Sequence, residues 1–303
     1  MPDTAKKKLI VICGPTAVGK TSLSIKLAKY FNTEILSADS RQFYSELKIG
    51  TAPPSKCELD EVKHHFIGSL SIKDYYNVAQ FEIDGLRVLD EIFLNHDYAI
   101  LVGGSGLYIN ALCNGIDELP DPDDSLRNSL KSDYNEKGLD FLKDRLFALD
   151  PEYYNKVDLS NPNRVIRAIE VCMKTGNSYT SLRTSTIKKR DFQIIKIGLN
   201  IERSILYNII NERVDRMFEA GLIEEAKNLY SLLGLNALKT VGYTELFDYF
   251  ENKYSLEEAI EKIKTNSRRY AKRQLTWFRK DTSITWFHPE NINEIIEYIH
   301  SYI

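Results

Sequence analysis

The chain has 303 residues and a formal net charge of −3, with 43% hydrophobic and 27% charged residues, which excludes disordered and collagen-like classes and is typical of a globular protein with a buried core. Its four cysteines have neither CxxC nor Cys/His spacing, which argues against a zinc site and against a disulfide scaffold. No apolar run has the length of a membrane span and MPDTAKKK is not typical of a secretion signal, so we expect a cytoplasmic protein with no membrane partner.

Buried strands alternate with helices in the first third of the chain. The predicted elements are strands at 8–13, 34–38 and 98–102, helices at 22–31 and 78–95, and a further helix that begins in GGSGLY at 103–108. Strands that alternate with helices in this way predict a parallel sheet that is covered on both faces.

The composition changes after Gly115, where the turn-rich stretch LPDPDDS leads into a polar and mostly helical segment. The predicted helices of this segment are 126–137, 140–149 and 164–175, the last ended by Gly176. Residues 192–199 return to strand character, and a mainly helical region with one late strand at 283–287 follows. We therefore predict that this segment is a helical insertion in an α/β core.

The first functional motif, GPTAVGKT, directly follows the first predicted strand and fits the pattern GxxxxGK[ST]. Backbone N–H groups of such a loop surround phosphate oxygens, and the N-terminus of the next helix adds positive potential. Lys20 supplies a point charge, and the hydroxyl of Thr21 can ligate Mg²⁺. The motif comprises Gly14, Pro15, Thr16, Ala17, Val18, Gly19, Lys20 and Thr21.

This motif sets the predicted fold class: α/β, with a P-loop NTPase-like parallel sheet. The core is predicted at 1–114 and 191–303, including a helical C-terminal region, and the helical insertion at 115–190. Since the pattern is shared by many phosphate-binding proteins, it does not by itself identify the phosphate compound.

Two more loops follow predicted strands, at the sheet edge where α/β proteins bind ligands. Asp39 in ADSRQFY has a carboxylate that can hold Mg²⁺ through water or accept a proton, although such an Asp is also a common helix N-cap. The glycines at 103–106 either allow a ligand close to the backbone, with Ser105 as a hydrogen-bonding group, or form a plain tight turn. A separate Walker-B carboxylate is not evident, which argues against an ATP-driven motor.

Two other patterns are interpreted as structural. Residues 155–158 (NKVD) match the guanine-specificity pattern of GTPases, but they do not follow a buried strand and the sequence contains no DxxG. The pair His64-His65 resembles a metal site, but adjacent side chains point in different directions on a helix or a strand.

The stretch from Lys264 to Lys280 carries seven basic side chains and no acidic one, with Tyr270, Trp277 and Phe278 among them. Such a run is often only a solvated helix face. Basic groups interleaved with aromatic rings are also the pattern that binds phosphates and stacks bases of nucleic acids.

Taken together, these motifs resemble the tRNA dimethylallyltransferases, also called tRNA isopentenyltransferases, over most of the chain. The matching segments are GPTAVGKT at 14–21, DSRQFY at 39–44, IGTA at 49–52, GGSGLY at 103–108, NRVIRA at 163–168, VGY at 241–243 and KRQLTWFR at 272–279. DSRQFY and KRQLTWFR are much more specific than the phosphate loop. The zinc finger of the eukaryotic members is not in this sequence, so we expect the bacterial type.

The resemblance implies transfer of a dimethylallyl group from dimethylallyl diphosphate to the N6 amine of the adenosine 3′-adjacent to the anticodon, in tRNAs that read codons beginning with U. Diphosphate is released and Mg²⁺ is the expected cofactor. By family position Asp39 removes the proton, and Lys20 and Arg213 stabilise the leaving group, although Arg213 could instead be a surface charge. Ser105 stands where most of the family has Thr, so the hydroxyl is kept and a methyl group is lost.

The resemblance also implies contacts with the tRNA anticodon stem-loop. The implied residues are Asp39, Ser40, Arg41, Gln42, Ser105, Arg127, Asn163, Arg164, Arg167, Gly242, Tyr243, Lys272, Arg273, Gln274, Trp277 and Arg279. For the arginines of the insertion, an ordinary exposed helix charge is the alternative.

Three other functions remain as alternatives. A P-loop small-molecule kinase would place ATP on GPTAVGKT, and an adenylate isopentenyltransferase would use free AMP, ADP or ATP as acceptor, although the basic run favours RNA. A non-enzymatic RNA-binding module is disfavoured because Lys20, Thr21 and Asp39 are all present. We expect a monomer.

Overall fold

Six parallel strands form one sheet. In the computed structural model, which describes residues 7–184 and 186–302, the strands are β1 (Lys8–Cys13), β2 (Ile35–Ser37), β3 (His64–His65), β4 (Tyr98–Gly103), β5 (Gln193–Leu199) and β6 (Thr285–Phe287). Their order is β3-β2-β4-β1-β5-β6, and each neighbouring pair is parallel. The α/β class is therefore confirmed, and β1 lies between β4 and β5.

Helices connect the strands and follow the last of them. They are α1 (Lys20–Tyr30), α2 (Lys56–Glu61), α3 (Val78–Phe93), α4 (Gly106–Asn114), α5 (Asp124–Leu149), α6 (Pro151–Lys156), α7 (Pro162–Thr175), α8 (Tyr179–Leu182), α9 (Arg203–Glu219), α10 (Leu222–Leu229), α11 (Tyr243–Phe250), α12 (Leu256–Phe278) and α13 (Ile292–His300), with single 3₁₀ turns at Tyr230–Leu232 and Asn236–Leu238.

The described chain divides into two compact units, residues 115–188 and the remainder. The larger unit has an apolar layer on each face of the sheet, one around Ile10 and Leu27 and the other around Leu9 and Phe81. A third apolar cluster contains residues of helices α9, α10, α11 and α12 and of the segment after β2. Leu47 and Tyr243 are among its buried members. This cluster connects the helical C-terminal region to a loop beside the sheet edge.

The smaller unit has its own core, in which Leu130, Leu142 and Leu146 of α5 pack on Val165 and Ile169 of α7. Gly138 interrupts α5 with φ 81° and ψ 177°, which confirms the two helices predicted there. The unit ends two residues before the predicted boundary at 190.

Arg190 explains that difference, because its guanidinium belongs to the larger unit. It donates to the carbonyl oxygens of Ala111 (2.9 Å) and Leu112 (3.0 Å) at the end of α4 and to Glu82 (2.8 Å) on α3. Both side chains of the ion pair are at most 8% exposed.

Candidate active site

The loop between β1 and α1 has the backbone of a phosphate-binding loop. Its residues with positive φ are Gly14 (144°), Ala17 (66°) and Gly19 (95°). A Cβ on Gly14 would lie 2.6 Å from the carbonyl oxygen of Leu199, so only glycine fits beside β5. Nζ of Lys20, the first residue of α1, donates to the carbonyl oxygens of Gly14 (3.1 Å) and Pro15 (2.6 Å) and is thereby held against the loop.

A cavity of about 320 Å³ opens beside this loop. Its walls come from the loops that follow β1, β2 and β4, which are adjacent in the sheet, and from helices of the C-terminal region. The predicted site residues that line it are Thr16, Ala17, Gly19, Lys20, Thr21, Asp39, Gln42, Arg213 and Gln274. Residues from both halves of the sequence thus converge on one cavity.

Asp39 follows β2 and faces this cavity. Burial raises the pKa of its carboxyl group above the usual value, against the opposing effects of the Arg41 N–H and the Lys20 charge. Oδ1 of Asp39 accepts a hydrogen bond from the backbone N–H of Arg41 at 3.1 Å. A desolvated carboxylate is a stronger base than one in water, which is the property that a proton acceptor requires.

Ser105 supports the turn that carries Asp39. Its Oγ accepts a hydrogen bond from the Ser40 N–H (3.0 Å) and donates to the Ser40 hydroxyl (3.2 Å), while its own N–H donates to the Ala38 carbonyl oxygen (3.2 Å). Gly103 approaches the same carbonyl so closely that a Cβ would lie 2.3 Å from its oxygen. The loop after β4 therefore fixes the position of the turn after β2.

Two cations face the phosphate loop. Burial lowers the pKa of Lys20 to about 8, although the charge of Asp39 opposes that shift. Burial also lowers the pKa of Arg213, whose Nη1 donates to Oγ1 of Thr16 at 3.2 Å. Asp215 pairs with Lys264 at 2.7 Å, so the nearby acidic group is engaged elsewhere. Arg213 lines the cavity and donates to the phosphate loop, so it is not a surface charge.

Gln274 joins the phosphate loop to the loop after β4. Its side-chain oxygen accepts from the Thr16 N–H at 2.8 Å and its Nε2 donates to the Gly104 carbonyl oxygen at 3.0 Å. The residue is only 6% exposed, and a Cβ on Gly104 would lie 2.1 Å from the Nε2 of Gln274. Within KRQLTWFR, this glutamine is thus an internal brace.

Other residues of the same motif are open to solvent. Lys272, Arg273 and Arg279 are exposed, and Trp277 is 46% exposed. The indole of Trp277 lies over the start of α4, where a Cβ on Gly106 would be 2.1 Å from Nε1. This end of α12 therefore presents basic groups and one aromatic ring.

Gln42, Gly242 and Tyr243 have internal partners. Nε2 of Gln42 donates to the carbonyl oxygens of Thr51 (3.2 Å) and Ala52 (3.1 Å). Tyr243 has no exposed surface, and its hydroxyl donates to Glu225 at 2.6 Å. Gly242 is buried with φ 102°, and its N–H donates to Glu245, which caps α11. Motif analysis did not single out Glu225, because its partners lie far away in the sequence.

In the smaller unit, two of the predicted arginines share one buried carboxylate. Glu170 accepts from Arg127 at 2.7 Å and from Arg167 at 2.9 Å and has no exposed surface. Burial alone would raise the pKa of Glu170, but these hydrogen bonds hold that pKa below its usual value. Asn163 and Arg164 are exposed at the start of α7, which is capped by the Asn161 side chain.

The residues that the structure describes contain no group of three or more His, Cys, Asp and Glu side chains that could hold a metal ion. His64 and His65 form β3, and His64 also lines the cavity. Nδ1 of His64 lies 2.8 Å from the Val62 carbonyl oxygen, and Nε2 of His65 lies 2.6 Å from Glu34. The sequence suggests two residues that could ligate Mg²⁺, Thr21 and Asp39, and both line the cavity.

Residues 42–281 match the family model described as IPP transferase. The chain belongs to the IPP transferase family. Among curated family members it is 53% identical over 301 residues to tRNA dimethylallyltransferase 1 of Phocaeicola vulgatus, with 99% of each chain covered. It is also 53% identical over 296 residues to the tRNA dimethylallyltransferase of Christiangramia forsetii, with 97% of this chain and 98% of the relative covered. The resemblance stated from the motifs is therefore confirmed, and the protein is a transferase.

Solved structures of the family have the same fold. The full-length tRNA isopentenylpyrophosphate transferase of Bacillus halodurans matches with a TM-score of 0.72 and 40% identity over 98% of this chain and 96% of that one. A eukaryotic dimethylallyltransferase acting on tRNA matches with a TM-score of 0.77 and 26% identity over 98% of this chain and 77% of that one. Within the described residues of this family member, no helix is long and apolar enough to cross a membrane.

Proposed function

We propose that this IPP transferase family member moves a dimethylallyl group from dimethylallyl diphosphate to the N6 amine of the adenosine 3′-adjacent to the anticodon, in tRNAs that read U-starting codons. The observation that carries the proposal is that a phosphate loop with Lys20 and Arg213 lines the same cavity as the partly buried carboxylate of Asp39. A diphosphate leaving group and a proton acceptor are the two requirements of an allylic transfer to an amine.

Diphosphate binds to the N–H groups of the loop and to its cations. When the bond between the allylic carbon and the diphosphate oxygen breaks, the electron pair stays on that oxygen and negative charge grows there. Preorganised N–H groups and cations in a desolvated site stabilise such charge more than water does. Lys20 and Arg213 are both desolvated, and Arg213 is oriented by Thr16.

Asp39 takes the proton. The N6 nitrogen of adenosine forms a bond to the allylic carbon and loses one hydrogen, and the carboxylate accepts it. Because burial raises the pKa of Asp39, the carboxylate is better matched to this transfer than an exposed one. Ser105 acts indirectly, by holding Ser40 next to the base.

The cavity suits Mg²⁺. The hydroxyl of Thr21 is a hard oxygen donor that lines the cavity, and Mg²⁺ prefers such donors together with phosphate oxygens and water. When bound, the ion offsets part of the diphosphate charge.

We propose that tRNA contacts the exposed basic and polar groups of both units. In the larger unit these are Lys272, Arg273, Trp277 and Arg279, and in the smaller unit Asn163 and Arg164 with the two arginines that share Glu170. Two guanidinium groups on one carboxylate leave a net positive charge, which suits a phosphate. Gln274 lines the cavity, whereas Tyr243 is buried and acts on tRNA through the residues that it positions.

The test mixes purified protein, Mg²⁺, dimethylallyl diphosphate and unmodified tRNA, with AMP replacing tRNA in a parallel reaction. Nucleosides are then analysed by mass spectrometry. We expect dimethylallyl adenosine from the tRNA reaction alone. Product from AMP alone would assign a free-nucleotide acceptor. If neither reaction gives product, consumption of ATP in a separate assay with added ATP would assign a kinase, and tRNA binding without ATP consumption would assign an RNA-binding module.

A further inference from the structure

Glu225 on α10 holds a loop of the cavity wall through an unusual number of hydrogen bonds. Its carboxylate accepts from three successive backbone N–H groups, those of Lys48 (2.9 Å), Ile49 (2.9 Å) and Gly50 (2.9 Å). The hydroxyl of Tyr243 on α11 donates to the same carboxylate at 2.6 Å. With four donors, the acceptor sites of the carboxylate are filled.

The loop backbone packs closely on the ring of Tyr243 beside this carboxylate. A Cβ on Gly50 would lie 2.7 Å from the ring of Tyr243, so the loop backbone rests directly on that ring. Tyr243 has no exposed surface, and burial and its bond to Glu225 raise its pKa, so it stays a neutral donor. Charge-assisted bonds to backbone N–H groups are about twice as strong as neutral ones.

The same loop fixes Gln42, because the two residues after Gly50 accept both hydrogen bonds from its amide. These acceptors are the carbonyl oxygens of Thr51 and Ala52. The backbone N–H of Gln42 in turn donates to the Asp39 carbonyl oxygen at 3.0 Å. A continuous set of hydrogen bonds thus runs from Glu225 through the loop to the turn that carries the base.

We propose that Glu225 is a positioning residue for the acceptor side of the cavity, an inference that rests on the proposed function. It sets the loop at 48–52, and through it Gln42 and Asp39, where the adenine is received. The phosphate loop has separate supports, Gln274 and Arg213, so diphosphate binding does not depend on Glu225.

The test compares Glu225→Gln with Glu224→Gln, its exposed neighbour on α10. An amide at 225 loses the charge and directs its NH₂ group at the loop N–H groups. We expect a loss of about 10- to 100-fold in the rate of transfer to tRNA, because misplacement of about 1 Å at a reacting centre costs that much. The affinity for dimethylallyl diphosphate, measured by calorimetry, should change by less than about twofold, since no diphosphate ligand is touched.

A second measurement does not depend on activity. Hydrogen exchange at the amides of residues 48–50 should be slow in the wild type and in Glu224→Gln and fast in Glu225→Gln. Tyr243→Phe keeps the carboxylate and removes one of its four donors, so we expect a smaller loss of transfer, about two- to fivefold. If Glu225→Gln does not fold, Tyr243→Phe takes its place in the test.

An unchanged transfer rate in a folded Glu225→Gln, or in Tyr243→Phe if only that variant folds, would overturn the proposal. So would a diphosphate affinity that falls as far as the rate, because that pattern indicates a general structural role. If the wild type transfers nothing to tRNA, the proposed function fails, and the exchange data then show separately whether Glu225 holds the loop.

Discussion

Replacing Gln274 by methionine tests whether the brace between the phosphate loop and the loop after β4 is as strong as its geometry indicates. Methionine has a similar length and no hydrogen-bonding amide, so the change leaves the Thr16 N–H and the Gly104 carbonyl oxygen without their partner. Each unsatisfied buried group costs about 1–3 kcal/mol. Thr16 borders the cavity and can be rehydrated, so we expect a total loss of about 2–4 kcal/mol in the free energy of unfolding.

The assay is denaturant unfolding followed by tryptophan fluorescence. The chain has two tryptophans, Trp277 and Trp286, and both belong to the larger unit, so the signal reports the unit that contains the brace. Lys272→Met on the same helix is the control, because Lys272 is exposed and should change the free energy of unfolding by less than about 0.5 kcal/mol.

Diphosphate affinity should also fall in Gln274→Met, because the Thr16 N–H loses its fixed direction. A change in unfolding free energy below about 1 kcal/mol, or one equal to that of Lys272→Met, would refute the reasoning, since two hydrogen bonds at 2.8 and 3.0 Å would then contribute nothing measurable.

Four further predictions follow from other contacts. The pKa of Lys20 is lowered to about 8, and only its cationic form attracts diphosphate, so the affinity for dimethylallyl diphosphate, measured by calorimetry, should fall about tenfold from pH 7 to pH 9. If a Lys20→Arg variant shows no such fall, Lys20 is the cause. Asp39→Asn should remove most single-turnover transfer while tRNA affinity stays within about threefold, and undiminished transfer would exclude Asp39 as the base. Arg190→Met should lower the free energy of unfolding by about 3–5 kcal/mol, with the exposed Lys189→Met as a near-neutral control. Lys272→Ala and Arg273→Ala should each weaken tRNA binding and reduce its salt slope by about one, and an unchanged slope would argue against a phosphate contact.

Sequence patterns predict the long elements well and the short ones poorly. All six residues of β1 are buried and five of them, 9–13, are apolar, so the run at 8–13 has the signal of a central strand. The predicted strand at 34–38 shortens to Ile35–Ser37, and Glu34, just before it, pairs with His65 and Lys63. The two residues of β3 have no apolar run of their own, and their pairing with β2 cannot be seen in the local sequence.

Helix α2 was missed although a signal was present. Its six residues, KCELDE, have no buried apolar face, which is the usual signal of a helix. Ser55 and Glu58 form a capping box at its start, and this pattern can be read directly from the sequence.

Some residues of the site can be predicted from the local sequence, and others depend on contacts with distant residues. Lys20 and Asp39 are predictable because each belongs to a motif that follows a predicted strand. Glu225 is not predictable, because its partner Gly50 is 175 residues away and only the packing of α10 brings them together. A motif also cannot distinguish exposed members from buried ones, and Lys272 and Gln274 therefore receive the same prediction although one faces solvent and the other braces the interior.

The dependence of the phosphate loop on distant residues has a consequence for protein synthesis. Gly14 rests on Leu199, and Thr16 is held by Gln274, which follows it by 258 residues. During synthesis the phosphate loop therefore leaves the ribosome early. Its hydrogen bond to Gln274 cannot form until α12 has also left the exit tunnel. Nascent chains of this protein should consequently remain unable to bind the diphosphate group firmly until α12 has emerged.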